Sequence, residues 1–163
     1  MKPILVILIN CLIILLGCAG KEQQTTSNSV STSSDQPDMS ITLLDNSVRN
    51  IKDLSGKNVL VFFQPDCDHC QREADDIRTN LNAFGKCTVY FITAAPAKEI
   101  SEFATTYKLS NYPNVFFAFT PAKNILDHYG PISAPSIYIY SDEHKLVKSF
   151  NGEVAINEVV KYI

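Results

Sequence analysis

Asn58-Val59-Leu60-Val61-Phe62-Phe63, followed by Gln64-Pro65-Asp66 and then by Cys67-Asp68-His69-Cys70-Gln71-Arg72-Glu73, is the stretch that decides the fold. The apolar run from Asn58 to Phe63 is bounded by Gly56-Lys57 and by Pro65, and its length predicts a buried strand. From Asp68 the pattern becomes helical. Ala74, Ile77, Leu81 and Phe84 fall on one face, and Gly85 supplies a stop, so one helix is expected from Asp68 to about Phe84. A buried strand running through a tight turn into a helix is the seed of a layered α/β domain.

Working outward, the flanking segments alternate in the same way. Ser40 to Leu44 and Val48 to Ile51 read as two short strands joined across Asp45-Asn46. Cys87 to Thr93 and Val115 to Phe119 are further apolar runs, separated by a helical segment from Lys98 to Tyr107. Thr120-Pro121 has the form of an N-cap followed by proline at the first helical position, which opens a helix to about Tyr129. Ser136 to Ser141 and Leu146 to Phe150 form a hairpin around the polar turn Asp142 to Lys145, and Val154 to Ile163 closes the chain as a helix. This order implies a central mixed β-sheet flanked by helices. The aromatic residues Phe116, Phe117, Phe119, Tyr138 and Tyr140 are read as core and strand-face residues, with the border of a substrate groove as the alternative.

The 163 residues suit one domain, and the 45% apolar and 19% charged fractions are those of a globular chain. A net charge of −3, with no Lys or Arg patch, argues against nucleic-acid binding. The folded part is expected over 38–163. Before it, Gly20 to Pro37 is rich in Ser, Thr and Gln and too poor in apolar residues to fold. As a flexible coil of about 20 residues it reaches roughly 25 Å. Residues 1–17 carry one positive charge at Lys2 and an apolar run from Pro3 to Leu16, the layout of a signal peptide. The run ends in Leu15-Leu16-Gly17-Cys18, which resembles a bacterial lipobox. The resemblance implies cleavage before Cys18, acylation of Cys18 and attachment to a membrane in the bacterial cell envelope. Ala19 stands where an inner-membrane retention signal has Asp, which leans toward the outer membrane.

Of the five cysteines, Cys11 would leave with the signal peptide and Cys18 would carry lipid. Cys67, Cys70 and Cys87 remain, in a compartment that permits disulfides. A C-x-x-C loop is too short to stabilise a fold by constraining the unfolded chain, but it is an established redox geometry. At a helix start, free N–H groups and partial positive charge favour the Cys67 thiolate, the attacking species. Cys70, one turn in, is placed as the resolving thiol of a Cys67–Cys70 disulfide. Haem attachment is excluded because Gln71, not His, follows Cys70. Structural zinc lacks a second ligand pair, and no metal site or cofactor is expected. A peroxide-reducing site would need a single reactive cysteine after a Thr- or Ser-bearing loop. Copper delivery would use a wider cysteine spacing and a later histidine, for which His128 is the candidate. Cys87 reads as a small buried apolar residue.

The stretch from Ser40 to Pro135 resembles the thioredoxin superfamily, specifically its membrane-tethered TlpA/ResA-like thiol-disulfide oxidoreductases, on the run from Asp53 to Phe63, then Cys67 to Glu73, and later Tyr129-Gly130 and Ala134-Pro135-Ser136. The resemblance implies a thioredoxin-like fold. It also implies disulfide exchange with exported protein thiols or disulfides, and an upstream redox donor or acceptor. It assigns catalysis to Cys67 and Cys70, and to a cis proline at Pro135, with Pro131 as the competitor. Two departures stand out. Phe63 and Asp66 occupy a segment where the family has Trp, and Val61 stands where thioredoxins bury an Asp. Tuning falls to His69, Asp66, Asp68 and Glu73. His69 can donate to the Cys67 thiolate and favour the reduced form, while the two aspartates oppose it. Glu73 reads as a solvated helix residue, with proton relay to Cys70 as the alternative. Known C-x-x-C proteins span roughly −270 to −120 mV, so such tuning decides the direction of electron flow. The alternative functions are a binding module without catalysis and copper delivery.

Overall fold

The computed structural model describes residues 34–163. Signal peptide, Cys18 and the tether up to residue 33 therefore lie outside the described residues. Seven strands form one mixed sheet: β1 (Ser40–Leu43), β2 (Val48–Asn50), β3 (Lys57–Phe62), β4 (Cys87–Thr93), β5 (Val115–Phe119), β6 (Ser136–Tyr140) and β7 (Leu146–Asn151). Their spatial order is β2-β1-β5-β4-β3-β6-β7. The central β3, β4 and β5 are parallel, and every other pairing is antiparallel. Helices α1 (Asp68–Thr79), α2 (Ala97–Thr106), α3 (Ala122–Tyr129) and α4 (Ile156–Val160) flank it. This is the thioredoxin-like arrangement.

The apolar run of β3 follows from its central position, because a strand covered on both faces needs no polar alternation. Val59, Val61 and Phe63 point into one core with Phe91, Phe117 and the inner face of α1, while Leu60 and Phe62 point into the other with Met39, Ile41 and Ile92. Phe63 is 2% exposed and packs edge-on to Phe91 and against Phe103. The aromatic residue before the motif is thus spent on the core rather than held over the cysteines. Of the other aromatics, Phe117 and Tyr140 are buried, Phe116 and Tyr138 half-buried and Phe119 exposed. Arg49 lies 4.5 Å over the Phe116 ring.

Four boundaries differ from the sequence reading. The helix expected to reach Phe84 stops at Thr79, and a 3₁₀ turn covers Leu81–Phe84. The Thr79 hydroxyl and the Asn80 amide both donate to the Asp76 carbonyl, at 3.0 and 2.9 Å. Such side-chain bonds compete with helix continuation. Thr120 does not cap α3. Its hydroxyl donates to the Ser40 carbonyl at 3.0 Å, tying β5 to β1, and α3 opens one residue later with Pro121 at the cap position. The last helix is only Ile156–Val160. Finally, the folded part begins before Asp38. The Asp35 N–H donates to the His144 carbonyl at 2.9 Å, its carboxylate accepts the Leu146 N–H at 3.0 Å, and Gln36 is buried. The polar turn between β6 and β7 gives this segment hydrogen bonds that hydropathy cannot show. Among the described residues no helix is long and apolar enough to cross a membrane.

Candidate active site

The site is built where β3 hands over to α1. The Phe63 N–H still bonds to the Ile92 carbonyl at 3.1 Å, after which Gln64 to Asp66 turn the chain. Cys67 is the N-cap of α1, in extended conformation (φ −90°, ψ 115°), and its sulfur accepts the Cys70 N–H at 3.4 Å. Sγ therefore sits at the positive end of the helix dipole, beside unpaired backbone donors. Cys67 is half-buried, whereas Cys70 is 1% exposed and its sulfur accepts the Gln64 N–H at 3.5 Å. Burial, together with the neighbouring Cys67 sulfur, pushes the Cys70 thiol up to about 12. One accessible sulfur and one buried thiol share a single helical turn.

Across from them the Ala134–Pro135 peptide is cis, whereas Pro131 follows a trans bond. The Cys67 thiol points at the Ala134 carbonyl at 3.6 Å. Beside Ala134 opens an apolar hollow of about 220 Å³, bordered by Phe63, Gln64, Ile125, Leu126 and Ile132.

Glu73 is not solvated. It is 1% exposed, with one carboxylate oxygen 3.4 Å from the Val154 N–H and the other unpartnered. Burial raises its pKa to about 7. Its charge is felt at Cys70, so the two groups are electrostatic neighbours. The signal for this placement was present, because Cys70, Glu73, Ala74 and Ile77 share the i, i+3, i+4, i+7 stripe that faces the core. Val61 is buried on β3, paired with Phe91 and Ile137. The site thus keeps a buried carboxyl, delivered from the helix rather than from the strand.

His69 also departs from expectation. Its Nδ1 pairs with the Glu153 carboxylate and lies 2.7 Å from Arg72 Nη2. Among the described residues no hydrogen bond joins the ring to Cys67. Glu153, which the sequence reading did not single out, also accepts Arg72 Nε at 2.7 Å and Nη2 at 2.8 Å. Arg72 and His69 together hold the Glu153 carboxyl down to about 2. Asp66 and Asp68 are exposed on either side of Cys67. Cys87 opens β4 opposite Lys57, at the far end of the strands from Cys67, and burial raises its thiol. His128, on α3, has Nδ1 against the Asn124 carbonyl at 2.8 Å. Among the described residues no three His, Cys, Asp or Glu side chains group as metal ligands would.

The family model described as the AhpC/TSA family matches residues 33–149. No sequence among the curated proteins matches the chain. Solved structures share the fold. A secreted Mycobacterium tuberculosis disulfide oxidoreductase homologous to E. coli DsbE superposes with a TM-score of 0.65 at 19% identity, covering 77% of this chain and 93% of that one. StoA from Bacillus subtilis gives 0.60 at 12% identity, with coverages of 76% and 93%. ScoI from Arabidopsis thaliana, solved with copper bound, gives 0.63 at 13% identity, with coverages of 78% and 94%.

Proposed function

From the premise that the chain belongs to the AhpC/TSA family, we propose that it is a thiol-disulfide oxidoreductase working through the Cys67/Cys70 pair. The observation that carries this is the unequal environment of two sulfurs in one helical turn, Cys67 half-buried at the helix cap and Cys70 buried with its thiol pushed up to about 12. In the reducing direction the Cys67 thiolate attacks a substrate disulfide. A Cys67–substrate S–S bond forms, the substrate S–S bond breaks, and the departing thiolate takes a proton. Cys70 then loses its proton to Glu73 and attacks the Cys67 sulfur. A Cys67–Cys70 S–S bond forms as the mixed disulfide breaks, the second substrate thiolate leaves and takes up the proton held by Glu73, and two electrons have passed from the enzyme dithiol to the substrate. The reverse sequence oxidises a substrate dithiol.

Glu73 suits the proton step because a buried carboxyl near pKa 7 can both accept and return a proton at neutral pH. A substrate chain would lie along the cis Ala134–Pro135 segment, with the apolar hollow beside it. Export and tethering through an acylated Cys18 complete the proposal, with exported protein thiols or disulfides as partners and a separate redox donor or acceptor regenerating the pair. The secreted Mycobacterium tuberculosis relative supports an extracytoplasmic setting.

The test is insulin reduction with dithiothreitol as the electron source, plus trapping with Cys70→Ser. Activity in the wild type, its loss in Cys67→Ser, and a mixed disulfide accumulating on Cys67 in Cys70→Ser are expected. Absence of any thiol-dependent activity in the wild type would leave the fold as a binding module and overturn the proposal.

A further inference from the structure

The corner between β7 and α4 reaches back over the start of α1 and touches it at two levels. Val154 N–H holds Glu73, and Glu153 clamps both Arg72 and His69. Gly152, at φ +99°, immediately precedes Glu153 in this corner. The Arg72 contact is a two-point fork, the geometry that fixes orientation best. Nδ1 of His69 has either one N–H or one lone pair. It donates to Glu153 or accepts from Arg72, and in both cases the nitrogen is taken up by the clamp. The two cation-forming side chains of the active-site turn are thus matched by one carboxylate from a distant loop. The groups are exposed, with side-chain exposures of 61% for His69, 54% for Arg72 and 33% for Glu153, so the clamp adds little to stability. Its effect is on where charge lies relative to Cys67, whose own charge is felt at Arg72.

We propose that Glu153 is a positioning residue that sets the reduction potential of the Cys67/Cys70 pair by holding the His69 ring off the Cys67 sulfur. The inference rests on the redox reading above. An imidazole free to swing to Cys67 would donate to the thiolate, stabilise the reduced form and make the disulfide a stronger oxidant. With Glu153 in place the ring is turned outward, and the pair is more reducing than the His69 side chain would otherwise make it.

The test is a redox titration of the full chain against glutathione at pH 7, with wild type, Glu153→Gln, His69→Ala and the double variant, each checked for native circular dichroism. Glu153→Gln is expected to move the equilibrium toward the dithiol about tenfold, a rise of about 30 mV for a two-electron couple. His69→Ala alone is expected to move it less than about twofold, and in the double variant most of the tenfold shift disappears, the remainder reporting the unmasked charge of Arg72. No shift in Glu153→Gln, the same shift with alanine at position 69, or a large fall in potential in His69→Ala alone overturns the inference while leaving the redox reading intact. A wild type with no reversible couple overturns both.

Discussion

Glu73→Gln isolates the consequence of burying a carboxyl at the motif. In the folded protein the Glu73 pKa is raised from 4.5 to about 7, chiefly by burial. A raised acid pKa means that the native state prefers the proton. The associated stability is fully present below about pH 4.5, is lost as pH rises to about 7, and then stays lost. Glutamine resembles the protonated acid in shape and cannot ionise, so it escapes this loss. The expected gain of Glu73→Gln over wild type is therefore about 3 kcal/mol larger at pH 8.5 than at pH 4.5. A constant offset from the unpaired amide donors cancels in that difference. Urea unfolding of reduced wild type and variant across this range, with denaturant slopes compared, reads it directly. Parallel stability curves between pH 4.5 and 8.5 would refute the reasoning, because they would mean that Glu73 ionises in the folded state as readily as in the unfolded one. The same substitution is expected to slow release of the mixed disulfide at neutral pH, since the Cys70 thiol would then lack an internal proton acceptor.

Two further substitutions probe the frame around the site. Gly130 adopts φ +71°, ψ −166° with open space where a Cβ would point, so Gly130→Ala is expected to lose about 1–3 kcal/mol through backbone strain alone, measured by urea unfolding. Cys87→Ala is expected to leave insulin reduction unchanged, and in the wild type Cys87 should react with a bulky thiol reagent only after unfolding, as mass spectrometry of labelled peptides would show.

What the sequence could and could not disclose divides along physical lines. The run from Asn58 to Phe63 and the C-x-x-C motif are local signals, and the strand, the turn and the cap at Cys67 follow from residues within a few positions of one another. The cis proline at Pro135 was what the family resemblance implied, and its peptide bond is cis. Glu73 was misread because charge was weighed above its position on the buried stripe. Thr120 is expected to cap α3, but its hydroxyl donates across to Ser40 instead, and α1 ends early where Thr79 and Asn80 bond back to Asp76, a local competition that the apolar pattern does not register. The Glu153 clamp and the docking of Asp35 on the β6–β7 turn join residues more than 80 positions apart, and no periodicity or spacing reports such pairings. The role of His69 was accordingly assigned to Cys67, two residues away in sequence, and the fold gave it Glu153 and Arg72 instead.

The most direct test of the paired-thiol chemistry is equilibration of the protein with graded ratios of reduced and oxidised glutathione, followed by acid quenching, thiol labelling and mass spectrometry of the peptides. The expected result is one reversible two-electron transition in which Cys67 and Cys70 lose their labels together as a Cys67–Cys70 disulfide forms, with Cys87 labelled throughout. Failure of that disulfide to form at any ratio, or oxidation that instead consumes Cys87, would contradict it.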